Sequence, residues 1–377
     1  MVVMTGESGF SYAAPNASGG PLAMNPAISM QMQNAQVAPY QMAARWVLDY
    51  ESANRSVAGG AFEPAALLQM TNVLEQAGNR LELSLLYGQE GLGLSTATTG
   101  VTATTATVTF DVGSWSDATW GASQGASIQF FNNSTGALIS AAADSIFTVS
   151  AVNVSTRVVS VTGTATGITA LNAVEAVDAF YNGARTSASV FNEMPGLSKI
   201  ITNTGSLFNI DASVYDLWRG NSYPAGGAAL TFAKLQSAIA VPVGRGLIED
   251  VTVYVNPKTW GNLLTEQAAL RKYDSSYSET TTKNGSKAIV FFSQNGRMEI
   301  KAHPFVKQGD AFAIPVSRFR RVGSTDVSFV TPTSNGNKQM WTDLPDVMGY
   351  QAKLYSGQTL FTSTPARTLK ITGIVNT

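Results

Sequence analysis

The chain has 377 residues, a net charge of −1 and only 13% charged side chains. That is enough for two or three domains, without the basic excess of a dedicated nucleic-acid binder. It holds no cysteine and a single histidine, His303, which excludes disulfide frameworks and thiolate zinc sites and argues against histidine metal centres and Ser-His-Asp triads. No basic-then-apolar leader and no window of about 18 apolar residues is present, so neither a signal peptide nor a membrane span is expected. The charge is unevenly placed: only Arg45, Arg55, Arg80, Arg157 and Arg185 of the 24 basic residues precede Lys199.

Residues 1–36 are rich in Gly, Ala, Asn, Gln, Met and Pro and almost free of charge, too little apolar surface to fold alone. Met24, Met30, Met32 and Ile28 are nonetheless suited to lying on a neighbour. Two readings stand, a docking arm and a frayed terminus. Residues 37–62 carry an alternating run, Ala44-Arg45-Trp46-Val47-Leu48-Asp49-Tyr50, then a polar, glycine-bearing stretch, which suits a hairpin or protruding loop.

Glu63-Pro64 opens the longest periodic segment with an acidic residue and a proline, both suited to a first helical turn. Leu67, Met70, Leu74, Ala77, Leu81 and Leu85 then recur at spacings of three and four, one apolar stripe. Gly88 follows as a C-cap. Such a helix spans roughly 35–40 Å at 1.5 Å per residue, long enough to act as a beam. A core helix of an ordinary α/β enzyme is the plainer alternative.

From Ser95 to about Tyr181 the composition turns to Thr, Ala, Val, Ser and Gly. Short β-branched runs (107–110, 127–131, 146–149, 157–161) are separated by turn residues, predicting a small all-β sandwich or barrel at 95–182. Beyond Pro195 the pattern is mixed. Thr231 caps a helix through Phe232, Leu235 and Ile239, closed by Pro242. Residues 251–255 form a buried strand, and Asn256-Pro257 starts a helix through Trp260 and Leu263. Asn295-Gly296 marks a hairpin, and further strands fall near 311–316, 327–330, 350–354 and 368–374.

Catalytic signatures are missing: there is no phosphate loop, no GxGxxG between strand and helix, no HExxH and no GxSxG. Glu249-Asp250 reads as a solvated strand start rather than an acid/base pair, since neighbours on a strand point to opposite faces. His303 reads as a hydrogen-bonded structural residue. Arg318, Arg320 and Arg321 form a small basic cluster, open to a solvated strand end, salt bridges to another subunit or a phosphate backbone. No metal or cofactor site is expected.

Several segments together resemble the major capsid proteins of tailed phages with the Hong Kong 97-type fold. Leu85-Leu-Tyr-Gly-Gln-Glu-Gly-Leu-Gly93 is similar to the close of that family's spine helix. Pro195-Gly-Leu-Ser-Lys-Ile-Ile201 is similar to the glycine-leucine segment that follows it, here displaced by the β insertion. Val251–Glu266 is similar to the family's V-x-N-P-x-x-W unit, Met298–Val322 to the following strand, turn and arginine-bearing strand, and Gly349–Ile374 to the closing strands. The resemblance covers about 35–94 and 195–377. It implies an α+β capsid fold with an arm (1–36), an extended loop (37–62), a spine helix (63–94), an inserted β domain (95–182), a peripheral return (183–245), an axial domain (246–325) and closing peripheral strands (326–377). It further implies hexamers and pentamers tiling an icosahedral shell around double-stranded DNA, with portal and scaffolding or decoration proteins as partners. Met24, Met30, Met32, Trp46, Arg318, Arg320 and Arg321 are then candidate subunit contacts. Some relatives weld subunits through an extended-loop lysine; no lysine precedes Lys199, so that crosslink is not expected. The alternatives are an encapsulin-like compartment, a β-rich adhesin and, third, an enzyme.

Overall fold

The computed structural model describes residues 2–3, 10–12, 22, 24–26, 32–51, 65–271, 289–329, 341–345 and 347–376. The chain is mixed α+β. Strands β1 (Val2–Val3) and β2 (Met32–Gln33) pair with each other, and the end of this N-terminal segment is tied down where Gln36 N–H donates to Phe208 C=O at 3.0 Å. The alternating run lies within a ten-residue strand, β3 (Tyr40–Asp49). Its partner is not a strand within 37–62 but one from the far end of the chain, and residues 52–62 lie outside the described residues.

Helix α1 (Ala65–Tyr87) follows. The stripe expected to pack does so only in part: Ala77 is buried, but Leu67 and Leu74 are 60% and 42% exposed. Ala77, Leu83, Leu86 and Tyr87 form the buried side instead, because among the described residues the second half of the helix is the part packed into the core. Gly78 faces open space, with no atom within 4 Å of where a Cβ would sit. Gly78→Ala is expected to stabilise the subunit by about 0.5–1 kcal/mol, read as a higher denaturant midpoint at unchanged slope.

The β-branched runs close into a barrel of strand order β4-β5-β8-β7-β6-β9. These are β4 (Gly93–Thr99), β5 (Thr105–Phe110), β6 (Ser127–Asn132), β7 (Phe147–Asn153), β8 (Val158–Thr162) and β9 (Val177–Tyr181). A short helix, α2 (Asp117–Gly121), sits between β5 and β6. Helix α3 (Ala165–Asn172), capped by the Thr164 side chain, precedes β9. The interior is filled by Phe110, Trp115, Trp120, Phe130 and Phe147, none more than 1% exposed, with Trp115 and Trp120 stacked at 5.6 Å. Closure leaves no free edge among these strands. Gly93 pairs with Ala179 and Leu94 with Asp178, so the chain enters and leaves the barrel side by side.

It then returns through a loop pinned by Arg185, whose guanidinium donates to Ser187, Gly136 and Ala188 carbonyls and lies against the rings of Phe131, Phe180 and Phe191. Helix α4 (Leu197–Thr202) and the tiny hairpin β10 (Ser206–Leu207) and β11 (Ile210–Asp211) lead on to β12 (Asn221–Ala228). Helix α5 (Phe232–Val243) starts at the Thr231 cap and carries Pro242 in its last turn. Next come β13 (Val251–Val255), α6 (Pro257–Arg271), β14 (Ile289–Ser293), β15 (Gly296–Ala302) and β16 (Ala311–Ile314). With the last strand, β20 (Leu369–Ile374), they form a six-stranded sheet of order β12-β20-β16-β13-β15-β14. The long strand β19 (Gly349–Thr362) carries β3 along one edge and β17 (Phe319–Phe329) and the short β18 (Thr342–Asp343) along the other. The six-stranded sheet has its own apolar core with α5 and α6. A second core runs without a break from the barrel interior through Leu83, Leu86 and Tyr87 to Leu197, Ile200, Val306 and Phe312.

Candidate functional site

The chain's chemistry-bearing side chains gather where α1 ends. The helix closes at Gly88, whose amide makes the last i to i−4 bond, to Ser84 C=O at 2.9 Å, and whose carbonyl accepts instead from Gly196 N–H at 2.8 Å. The chain then turns through Gln89 with a positive φ of 66°. This brings Glu90 beside Lys307 and Asp310, from the turn between β15 and β16, and Lys370 of β20. Lys370 Nζ lies 3.3 Å from Asp310 Oδ2 and 3.5 Å from Glu90 Oε2, and donates to Ser198 Oγ at 2.7 Å. Lys307 Nζ donates to Gly91 C=O at 2.6 Å and sits 4.3 Å from the centroid of Tyr87. The Tyr87 hydroxyl donates to Asp310 Oδ2 at 3.2 Å and accepts from Lys307 N–H at 2.9 Å.

Two lysines and two carboxylates therefore share one poorly solvated pocket, where each charge is tolerable only through the others. Desolvation pushes Asp310 above the usual carboxylate range despite Lys370 and Lys307. Desolvation acts on Glu90 too, but Lys370 and Lys307 outweigh it and hold Glu90 below that range. Burial lowers Lys307. It also works against the Lys370 ammonium, where Asp310 and Glu90 prevail and raise its pKa. Beside this cluster a cavity of about 280 Å³ is lined by Glu90, Gly91, Asp178, Arg185 and Lys307 among others.

A larger open groove of about 780 Å³ runs between β3, α1 and the barrel, with Tyr40, Trp46, Arg80, Ser84, Tyr181 and Glu193 along it. Burial pushes the Glu193 carboxyl up, against the Ser84 hydroxyl that donates to it and the nearby Arg80. A carboxyl raised in the folded state holds a proton where the unfolded chain has released it, so its cost is present at neutral pH and relieved as pH falls through the folded value. Wild type is therefore expected to gain thermal stability relative to Glu193→Gln between pH 7 and about pH 5. Parallel melts of the two proteins at each pH measure this.

The candidate contact residues do not converge. Met24 is 84% exposed, Met32 lies in β2 and Met30 is outside the described residues. Trp46 packs edge-on against Phe329 and Trp341, at 5.6 and 6.0 Å, so it is committed within its own sheet. Arg318 and Arg367 both bind Glu249 Oε1, and Asn295 Nδ2 donates to the Glu249 carbonyl at 3.0 Å. The solvated strand start expected for Glu249 is thus replaced by an ion-pair hub, since the turn before β13 faces two other segments that sequence spacing could not reveal. Asp250 accepts from Arg297 N–H at 3.1 Å. Arg321 bridges Asp326 at 3.1 Å; Arg320 is exposed and has no partner among the described residues. His303 Nε2 lies 2.8 Å from Glu82 Oε1 on α1, a structural pairing. Among the described residues no group of three or more His, Asp or Glu is placed to hold a metal, and no helix is long and apolar enough to cross a membrane.

No family model and no curated protein matches the chain. Solved structures do. The capsid asymmetric unit of cyanophage A-1(L) matches over 97% of this chain and 85% of its own, at 9% identity and a TM-score of 0.48. The satellite phage P4 procapsid matches over 98% and 81%, at 9% identity and a TM-score of 0.36. An encapsulin complex from Synechococcus elongatus matches over 44% and 58%, at 10% identity and a TM-score of 0.26.

Proposed function

We propose that the chain is a shell-forming structural protein, the major capsid protein of a tailed phage with the Hong Kong 97-type α+β fold. The observation that carries this reading is apolar surface left exposed on extended elements among the described residues. Leu67, Leu68 and Leu74 on α1, and Val47, Val347 and Met348 by the β3/β19 ribbon, are each at least 42% exposed. Scattered exposed apolar residues are ordinary, but rows of them on a 23-residue helix and a long ribbon suit neighbours in an assembly.

On this reading α1 is the spine helix of a peripheral domain that includes the β3/β19/β17 ribbon. The sheet around β13 belongs to an axial domain that extends beyond the expected 246–325, since β12, α5 and β20 share its sheet and core; residues 1–36 are an arm, 37–62 an extended loop, and the barrel an insertion. Copies associate as hexamers and pentamers, with double-stranded DNA inside contacted non-specifically and portal, scaffolding or decoration proteins as partners. The protein works in the virion, after assembly in the host cytoplasm, and carries out no catalysis.

Negative-stain electron microscopy with light scattering at near-physiological salt tests this. Closed particles or free hexamers and pentamers are expected, and nuclease-protected DNA rather than a cargo protein separates capsid from encapsulin. A monodisperse monomer that stays monomeric with added scaffolding protein would overturn the reading. Boiled particles are expected to run as single subunits on a denaturing gel.

A further inference from the structure

We propose that Lys370 and Asp310 condense within one subunit, forming an isopeptide bond between Lys370 Nζ and Asp310 Cγ. The inference rests on the junction geometry alone and stands whether or not the chain forms shells. Three features set it apart from an ordinary buried ion pair. The reacting groups are held face to face, with Nζ 3.3 Å from Oδ2, by neighbouring strands in fixed register: β16 and β20 pair Phe312 with Lys370, and Asp310 immediately precedes β16. Positioning of this kind replaces the entropy that a bimolecular condensation would have to overcome. The pair is also screened from water, the side chains of Lys370 and Asp310 being 10% and 13% exposed, with Lys370 Nζ within 6.0 Å of the ring centroids of Tyr87 and Phe312. Finally, a second carboxylate, Glu90, lies 3.5 Å from the same nitrogen, placed to move protons.

The proton balance closes without a further reagent. The Lys370 ammonium, otherwise held charged by Asp310 and Glu90, first gives a proton to the Asp310 carboxylate, which burial disposes to accept it. The neutral amine then attacks Cγ, forming the N–C bond. Glu90 takes the second proton from the nitrogen and returns it to the departing hydroxyl as the C–O bond breaks and water leaves. The cavity lined by Glu90 and Lys307 lies on the Glu90 side of the pair, the side from which the water departs. Charge also balances, because one cation and one anion vanish together, leaving one charge of each sign on Glu90 and Lys307. Lys370 rather than Lys307 is the nucleophile, since Lys307 is turned to the Gly91 carbonyl and forms no close ion pair among the described residues. The bond would fasten the final strand to the turn before β16.

Denaturing intact-mass analysis of the full-length protein tests the proposal, with Glu90→Gln and Lys370→Arg as comparisons. Wild type is expected to be lighter than its sequence by one water, and trypsin to release a branched species joining residues 308–318 to 368–377. Glu90→Gln, folded by circular dichroism, should show the full sequence mass, as should Lys370→Arg. A wild-type protein at full sequence mass, with 368–370 and 371–377 released separately, overturns the proposal. So does loss of water that persists in Lys370→Arg. Loss that persists in Glu90→Gln overturns the proton-shuttle role.

Discussion

Gly196→Ala is expected to destabilise the subunit by about 3 kcal/mol or more, at or beyond the upper end of ordinary overpacking. A Cβ there would stand 2.4 Å from Gly88 N, 2.7 Å from Ser84 O and 2.9 Å from Leu86 C. All three are backbone atoms of the last helical turn, so no side chain can swing aside. Relief requires separating the helix end from the 195–197 segment, which breaks the bond from Gly196 N–H to Gly88 C=O and loosens Leu83, Leu86 and Tyr87 from Leu197 and Ile200. Gly88→Ala meets the same obstacle from the other side, 2.1 Å from Met194 O. The two penalties should not add in full, because one displacement relieves the contacts across the junction, although Ser84 O stays 2.5 Å from a Cβ at 88. Denaturant unfolding of both single variants and the double variant measures this. An alanine at 196 costing under about 1 kcal/mol would show the two backbones free to part.

That contact also marks how far the sequence could be read. Features written in a few consecutive residues were legible. Asn256 Oδ1 accepts from Lys258 N–H at 3.0 Å and Pro257 opens α6. Thr231 caps α5, and the Asn295-Gly296 turn joins β14 to β15, with Ser293 opposite Gly296. Four β-branched runs mark barrel strands, although β4 and β9 were missed: Gly93 and Asp178 give neither strand a clean alternation. The beam helix was legible in length but not in facing, since the apolar stripe through Leu67 and Leu74 reads the same whether its partner is in the chain or in another copy. The Glu90, Asp310 and Lys370 cluster was not legible at all. Its members lie 60 to 280 positions apart, and only the topology brings them together. The one available signal was composition: lysines within strands otherwise made of buried residues, as Lys370 is between Leu369 and Ile371.

Removing residues 95–182 behind a short linker is expected to yield an insoluble or partly unfolded subunit. Viewed as a bead on a string, the barrel could be excised without loss, because Gly93 and Ala179 are already paired and the gap is easily bridged. The packing points the other way. Trp115 C=O accepts from Gln308 N–H and Gly113 C=O from Gly309 N–H, both at 2.9 Å, and Ser116 Oγ donates to Pro304 C=O at 2.8 Å. These bonds hold the 304–309 turn that carries Lys307 and leads into Asp310. Excision would leave the turn's polar groups to find new partners and open the junction cluster to water, while exposing the face of the core formed by Leu83, Leu86 and Leu92. At about 25 cal/mol per Å² of apolar surface returned to water, uncovering a few such side chains is enough to consume the whole stability of a typical domain. Soluble expression followed by near-ultraviolet circular dichroism decides the matter. A cooperatively melting deletion variant would show that the barrel is an appendage, and its assembly could then be compared directly with wild type. A variant that fails to fold would place the barrel among the elements the subunit needs before it can meet any neighbour.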